Sequence, residues 1–238
     1  AIKVFRFLGG ALDPVTSIAP NTNGFGFGPR HLDFHPTSPW VYVSVERQDE
    51  LHMYALDDSH TLVAPPRYSV NSLAQDTGVA NLGPQLAGAV HVHPNGQFVY
   101  QANRTDGLHR KNGSLVARGG EDSLVVYAIE SNTGEPRIVQ RVATPTIHVR
   151  TFAIHPSGRL LIACSIRPVP TADDDGGVRL VPAAIVVYRI GDDGKLSLMR
   201  KYDVDTKDNF LFWSGMATLP IDAEPVHDDA PRRTEPKG

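Results

Sequence analysis

Residues 28–36 have the sequence GPRHLDFHP, in which an alternating strand pattern ends at a His-Pro turn and a second strand pattern follows. The same unit returns as GAVHVHPNG at residues 88–96 and as RTFAIHPSG at residues 150–158. The three turn histidines are separated by 58 and 62 positions. A period of this length, with the turn always in the same phase, is typical of a repeat architecture.

Each repeat contains four short strand patterns and no stretch of helical period. The predicted strands are 30–34, 41–45, 51–56 and 62–68, then 89–92, 98–102, 123–129 and 138–143, then 151–154, 160–165, 184–190 and 196–202. A β-sandwich would not repeat the turn at constant phase, and the Gly-His and Trp-Asp marks of WD repeats are absent. The sequence therefore predicts an all-β propeller of four-stranded antiparallel blades.

The chain supplies about four blades, which is part of a larger ring. A partial propeller is predicted over 1–219, with blades at about 1–27 (part), 28–84, 85–145, 146–205 and 206–219 (part), and a disordered or loosely packed tail over 220–238. Within these, residues 13–27 are predicted to be a loop, 105–121 and 168–179 to be insertions, and 210–216 to be an inner strand. Because an open ring exposes sheet edges, an N-terminal part of the same protein or a second chain is expected to complete it.

Composition limits the classes of partner. The 238 residues are 41% hydrophobic with a net charge of −3, which favours a packed core and argues against nucleic-acid binding. No apolar run approaches the roughly 20 residues that a membrane helix needs. No signal peptide is visible, so the expected location is cytoplasmic. Cys164, the single cysteine, lies in an apolar strand pattern and is predicted to be buried and inert.

Antiparallel pairing brings the start of the first strand and the end of the second strand of a blade to one rim. Arg30, Gly88 and Arg150 stand five residues before each turn histidine, and Glu46, Arg104 and Ile166 stand eleven residues after it. One rim of the central channel is therefore predicted to collect chemically active side chains from three adjacent blades. These candidates are Arg30, His31, Glu46, His91, Arg104 and Arg150.

Three arginines that face one acid leave an excess of positive charge, which suits a bound carboxylate or phosphate. The structural alternatives are that the arginines form ion pairs between blades, that His31 and His91 are hydrogen-bonded in the channel wall, and that Glu46 only orients an arginine. The turn histidines, on the opposite rim, are predicted to be structural. No cofactor is predicted, no nucleophile-elbow motif follows a strand, and no zinc-type spacing supports a metal site.

The motif GPRHxxFHP, followed by a strand that ends in Glu46, resembles the lactonase family of seven-bladed propellers. The block from residue 90 to Arg104, the Arg-Thr-Phe repeat and Phe212-Trp213 resemble successive blades in the C-terminal part of that family. The likeness spans about residues 1–219. The chain departs from it at Thr151 and in the two long insertions, and it lacks the N-terminal blades.

The resemblance implies a hydrolase that opens a sugar-acid lactone such as 6-phosphogluconolactone. It implies that Arg30, Arg104 and Arg150 bind the acid group and polarise the lactone carbonyl. His91, Glu46 and His31 are the catalytic candidates, with His91 or Glu46 as the general base. Two other functions stay open: a non-catalytic propeller that scaffolds partners or binds an anionic ligand, and a carboxymuconate-type cycloisomerase.

Overall fold

The computed structural model describes residues 1–19, 26–74, 84–173, 175 and 177–219. Within these ranges no residue is helical. The strands are β1 (Ile2–Leu8), β2 (Ala11–Ile18), β3 (Pro29–Phe34), β4 (Trp40–Val45), β5 (Glu50–Leu56), β6 (Leu62–Asn71), β7 (Gln85–Val92), β8 (Phe98–Thr105), β9 (Leu108–Lys111), β10 (Ser114–Ala117), β11 (Ser123–Ile129), β12 (Pro136–Ala143), β13 (Val149–Ile154), β14 (Leu160–Ser165), β15 (Val169–Ala172), β16 (Val178–Val181), β17 (Ala183–Ile190) and β18 (Leu196–Val204).

Three four-stranded antiparallel sheets form the first, second and third blades, in the strand orders β3-β4-β5-β6, β7-β8-β11-β12 and β13-β14-β17-β18. The inner strands β3, β7 and β13 lie side by side, so the blades follow one another around a common channel. This confirms the predicted propeller of four-stranded antiparallel blades. The described residues include no helix long and apolar enough to pass through a bilayer.

Apolar side chains fill the space between successive blades. Trp40, Met53 and Tyr127 belong to the layer between the first and second blades, and Tyr100 and Phe152 belong to the layer between the second and third. Full burial of one such side chain contributes about 1.5–3 kcal/mol. The alternating pattern of the strands therefore holds neighbouring blades together face to face.

The predicted loop over 13–27 is wrong in its first half, because residues up to Ile18 belong to β2, which pairs with β1. Pro14 masked the strand in the sequence. Its place is beside a bulge, where the ladder is irregular and a proline is tolerated. Ile2 and Ile18 pack this hairpin against Val41 and Val43 of the first blade.

The two insertions are β-hairpins rather than irregular loops. The pair β9-β10 lies within 105–121, and the pair β15-β16 begins within 168–179. Asn112 and Gly113 both have positive φ, of 49° and 83°, at the first hairpin turn. This Asn-Gly pair is a strong hairpin signal, although no strand was predicted on either side of it. Strands β10 and β15 contact each other, so the two hairpins lie together. They lie on the rim of the channel at which the second strands β8 and β14 end, which is called the mouth rim here.

The inner strand predicted over 210–216 is wrong, because residues 209–219 are not in a strand. Leu211 donates one backbone hydrogen bond to the carbonyl of Ile166, the residue that follows β14 in the third blade. No further strand of a fourth blade lies among the described residues to extend that pairing. The predicted tail over 220–238 lies outside the described residues, and the proposed blade boundaries stay predictions.

Two of the three turn histidines, His35 and His93, join their blade to the next one. His35 Nε2 donates to the carbonyl of Gly96 at 2.9 Å, and His93 Nε2 donates to the carbonyl of Gly158 at 2.8 Å. Backbone amides of the same turns donate to Nδ1, as Asn95 does to His93 at 3.2 Å. Both rings are therefore Nε2–H tautomers. These bonds confirm the structural role predicted for His35 and His93. The ring of the third turn histidine, His155, bonds within the described residues only to Ser157 of its own turn.

A second set of bonds between blades uses tyrosines of the second strands. Tyr42 donates its hydroxyl to the carbonyl of Gly134, and Tyr100 donates to the carbonyl of Gly194, each at 2.8 Å. Both glycines lie in the outer turn of the following blade, between its third and fourth strands. Each tyrosine thus ties its own blade to the outer turn of the following blade.

We expect Tyr100→Phe to lower the free energy of unfolding by about 2 kcal/mol, because it leaves the Gly194 carbonyl without its donor. Tyr188→Phe is the matched control, since the Tyr188 hydroxyl is buried with no hydrogen-bond partner among the described residues. The control should cost less than about 0.5 kcal/mol. Urea unfolding followed by fluorescence measures both. Equal losses in the two variants would contradict the role given to the Tyr100 bond.

Candidate active site

A bulge interrupts each inner strand at the same place. Arg30 is the extra residue between two paired positions of β3, and Arg150 is the extra residue in β13. A bulge takes a side chain out of the regular alternation and often occurs beside an active site. In β7 the bulge contains Gly88, where a Cβ would lie 3.0 Å from the carbonyl oxygen of Ala102. Because Gly88 has no side chain, the arginine of the second blade, Arg104, comes from β8.

Glu46 holds two of the predicted arginines together. Its Oε1 lies 2.9 Å from Nε of Arg30 and also accepts from Nη2 of Arg104. The Arg104 side chain is only 2% exposed, and its Nε and Nη1 have no hydrogen-bond partner among the described residues. A buried donor without a partner costs free energy. Arg104 is thus a buried guanidinium with unused donors.

Arg150 is the third cation of this cluster. Its guanidinium lies 4.4 Å above the ring centre of Phe212, and no ion pair of Arg150 is found among the described residues. Burial, followed by the charges of Arg104 and Arg150, lowers the pKa of Arg30 to about 10. Burial also lowers the pKa of Arg104. Mutual repulsion of this kind is relieved by a bound anion.

His31 stands beside the cluster as a neutral imidazole. Burial, and then the charge of Arg30, lowers its pKa to about 4. Arg30 Nη1 lies 3.2 Å from His31 Nε2 and 3.4 Å from Nδ1, and the Trp213 ring meets the imidazole edge-on at 5.4 Å. Because a guanidinium only donates, one ring nitrogen of His31 accepts from it. The other ring nitrogen keeps its proton and is a donor.

His91 lies deeper in the channel than predicted. It pairs with Tyr100 of β8, four positions along that strand from Arg104, which corresponds to about 13 Å at the usual rise per residue. The rim position predicted for His91 is therefore wrong, because two residues rather than five separate it from the turn histidine. His91 Nδ1 is 3.5 Å from Oδ2 of Asp33, and its ring packs edge-on against Phe152 at 4.9 Å.

Asp33 is a further member of the site and was not among the six candidates predicted from the sequence. Its Oδ2 accepts from the backbone amide of Val92 at 2.8 Å, so the carboxylate is fixed next to His91. A signal existed, since Asp33 precedes His35 by two residues, just as His91 precedes His93. Among the described ranges no three His, Cys, Asp or Glu side chains are placed to hold a metal ion.

The fold and this geometry define a β-propeller whose channel carries a cationic mouth and, further in, a histidine next to a carboxylate. The family described as "Lactonase, 7-bladed beta-propeller" matches residues 1–167. The chain belongs to this family. That confirms the resemblance seen in the repeated motifs.

Two relatives named 6-phosphogluconolactonase illustrate the similarity. The protein from Bacillus subtilis is 32% identical over 138 residues, which cover 58% of this chain and 34% of the relative. The protein from Serratia proteamaculans is 31% identical over 208 residues, which cover 85% of this chain and 51% of the relative. The chain thus spans between a third and about half of the length of these relatives.

The solved structure of the periplasmic gluconolactonase of Pseudomonas aeruginosa has the same fold. It superposes with a TM-score of 0.55 at 21% identity, and the match covers 82% of this chain and 42% of that chain. At this identity the likeness shows the propeller architecture alone.

Proposed function

We propose that the protein is a hydrolase that opens a sugar-acid lactone such as 6-phosphogluconolactone. The observation that carries the proposal is the buried Arg104, whose Nε and Nη1 have no partner within a cluster of three arginines and one carboxylate. Lactone hydrolysis develops negative charge on the carbonyl oxygen and yields a carboxylate. Preorganised buried donors stabilise such charge more than they would in water.

The arginines divide the binding task. Arg30 and Arg104, which Glu46 holds in place, donate to the lactone carbonyl oxygen and to the product carboxylate. Arg150 binds a phosphate or second acid group of the substrate. Glu46 accepts from both of its neighbours, so we assign it to positioning the arginines rather than to proton transfer. The free N–H of His31 polarises the same carbonyl.

His91 is the general base in this mechanism, and Asp33 orients its ring. A water molecule in the channel attacks the carbonyl carbon. Because His91 is set deeper in the channel than the arginines that hold the carbonyl, the proton passes to Nε2 of His91 through one bridging water molecule. The tetrahedral intermediate then collapses, the ring C–O bond breaks, and the imidazolium returns the proton to the leaving alkoxide. The 3.5 Å contact with Asp33 is long for a hydrogen bond, and such contacts commonly tighten when substrate binds.

The purified protein should accelerate the opening of 6-phosphogluconolactone or glucono-1,5-lactone above the spontaneous rate. We expect His91→Gln to lower kcat about a hundredfold, because the variant lacks a base. The release of acid, followed with a pH indicator, measures both rates. His60→Asn is the control, since His60 is an exposed residue of an outer turn.

A folded protein that opens no lactone contradicts the proposal. In that case, binding of gluconate by calorimetry supports the alternative of an anion-binding propeller, and turnover of a carboxymuconate substrate supports the cycloisomerase. Completion of the ring by a second chain or by further blades, and the cytoplasmic location, stay predictions.

A further inference from the structure

A cavity of about 370 Å³ is lined by Thr105, the residue after Arg104, and by His148, two residues before Arg150. The start of the β9-β10 hairpin, the connection into β13, the segment leading to β15, and Phe210 surround it. Its volume is within the range of roughly 300–1,000 Å³ that is usual for small-molecule sites. Its lining includes the polar and aromatic side chains of Asp106, His148, Arg167 and Phe210.

His148 is held in a strained conformation at one wall of this cavity. Its φ is 59°, in the left-handed region that few residues other than glycine adopt. The half-buried Asp122 carboxylate accepts from the His148 amide at 2.7 Å and from the Thr105 hydroxyl at 2.9 Å. His148 Nδ1 in turn donates to the carbonyl of Thr105 at 2.8 Å. Strain of this kind persists only where the surroundings fix it, and it is commonly associated with function.

The tautomer of His148 leaves one acceptor for a ligand. Because Nδ1 donates to a carbonyl, Nε2 of the neutral ring bears a lone pair, and it has no partner among the described residues. Asp106 adds a half-exposed carboxylate, and Arg167 adds guanidinium donors 6.0 Å from the ring centre of Phe210. The formal charges of Asp106 and Arg167 cancel. The cavity therefore suits a neutral, hydroxyl-rich group that can also lie against an aromatic ring.

We infer that this cavity binds a second sugar unit, so that the substrates include aldonolactones of disaccharides. The inference rests on the proposed lactonase function. Thr105 directly follows Arg104 in β8, and His148 precedes Arg150 by two residues, so the cavity begins where the cluster ends. A lactone held at the arginines would extend its glycosyl substituent between the two inserted hairpins. There His148 and Asp106 accept hydrogen bonds from hydroxyl groups, and Arg167 donates to them.

The test compares kcat/KM for maltobiono-1,5-lactone and glucono-1,5-lactone with the full chain. We expect a preference of about tenfold for the disaccharide lactone, the size of one or two hydrogen bonds. His148→Asn keeps a residue that tolerates the left-handed region and removes the ring acceptor. This variant and Phe210→Ala should each reduce the preference to about equality. Leu115→Ala, on the exposed face of β10, should leave it unchanged.

Calorimetry with maltobionate and gluconate gives a readout that needs no turnover. Tighter binding of maltobionate that is lost in His148→Asn supports the inference even if the protein opens no lactone, a result that would refute only the proposed function. If the protein opens both lactones with equal kcat/KM, and neither variant changes the ratio, the lactonase function stands and the second sugar site is refuted. Absence of both turnover and maltobionate binding refutes both.

Discussion

Arg104→Ala should lower kcat/KM for lactone opening by about a thousandfold, the upper end of the loss that follows removal of one oxyanion donor. The variant removes the two unused donors and leaves Glu46 with Arg30 alone. Initial rates of acid release at several substrate concentrations give kcat/KM. Arg104→Lys keeps a positive charge beside Glu46 without the planar fork, so it separates the loss of geometry from a loss of folding.

Arg137→Ala is the matched control for this variant. Arg137 Nη2 also pairs with a glutamate, Glu135, at 2.9 Å, but on the surface of the second blade. Its removal should leave kcat/KM unchanged and the free energy of unfolding almost unchanged, because a solvent-exposed ion pair contributes little to stability. If folded Arg104→Ala keeps more than a tenth of the wild-type kcat/KM, Arg104 does not stabilise the developing charge.

Gly158→Ala should lower the free energy of unfolding by about 3 kcal/mol. A left-handed conformation costs an alanine roughly 1–2 kcal/mol, and overpacking adds a similar amount. The φ of Gly158 is 70°, and a Cβ there would lie 2.6 Å from Cε1 of His93, the ring that holds this turn to the second blade. The new methyl group would therefore push the second and third blades apart at their turns. Urea unfolding gives the size of the loss.

Gly113→Ala supplies the comparison, because Gly113 has a φ of 83° and a methyl group added there would have nothing within 4 Å. It should show the backbone strain alone, about 1 kcal/mol. In a His93→Ala background the clash disappears, so Gly158→Ala should then cost no more than Gly113→Ala. Equal costs of the two glycine variants in the wild-type background would show that contact with His93 is not the cause.

The constant phase of the His-Pro turn predicted the blades because register and repeat are both local properties of the chain. Two departures have physical reasons. Pro14 breaks the pattern of β2 in the sequence, yet a bulge accommodates it, and bulges leave little trace in hydrophobic alternation. Residues 210–216 have the pattern of a strand but do not form one. A strand needs a partner strand to pair with, and the local sequence pattern does not show whether one is present.

The site was predicted in part. The spacing of Arg30, Glu46 and Arg104 relative to the turns was enough to predict that they lie close together, because strand pairing determines which residues share a rim. The depth of His91 followed from the same spacing and was misjudged. His148 was missed for another reason: its conformation depends on Asp122, which lies 26 positions earlier in the chain, and no local pattern reports that contact.

The two hairpins on the mouth rim are inserted between the second and third strands of their blades. No hairpin residue takes part in the bonds that His35, His93, Tyr42 and Tyr100 form between blades. Changes in hairpin length or composition therefore leave those bonds in place and leave the inner strands that carry Arg30 and Arg150 untouched. In such a molecule substrate selectivity can change while the reaction stays the same, because different segments of the chain determine selectivity and reaction.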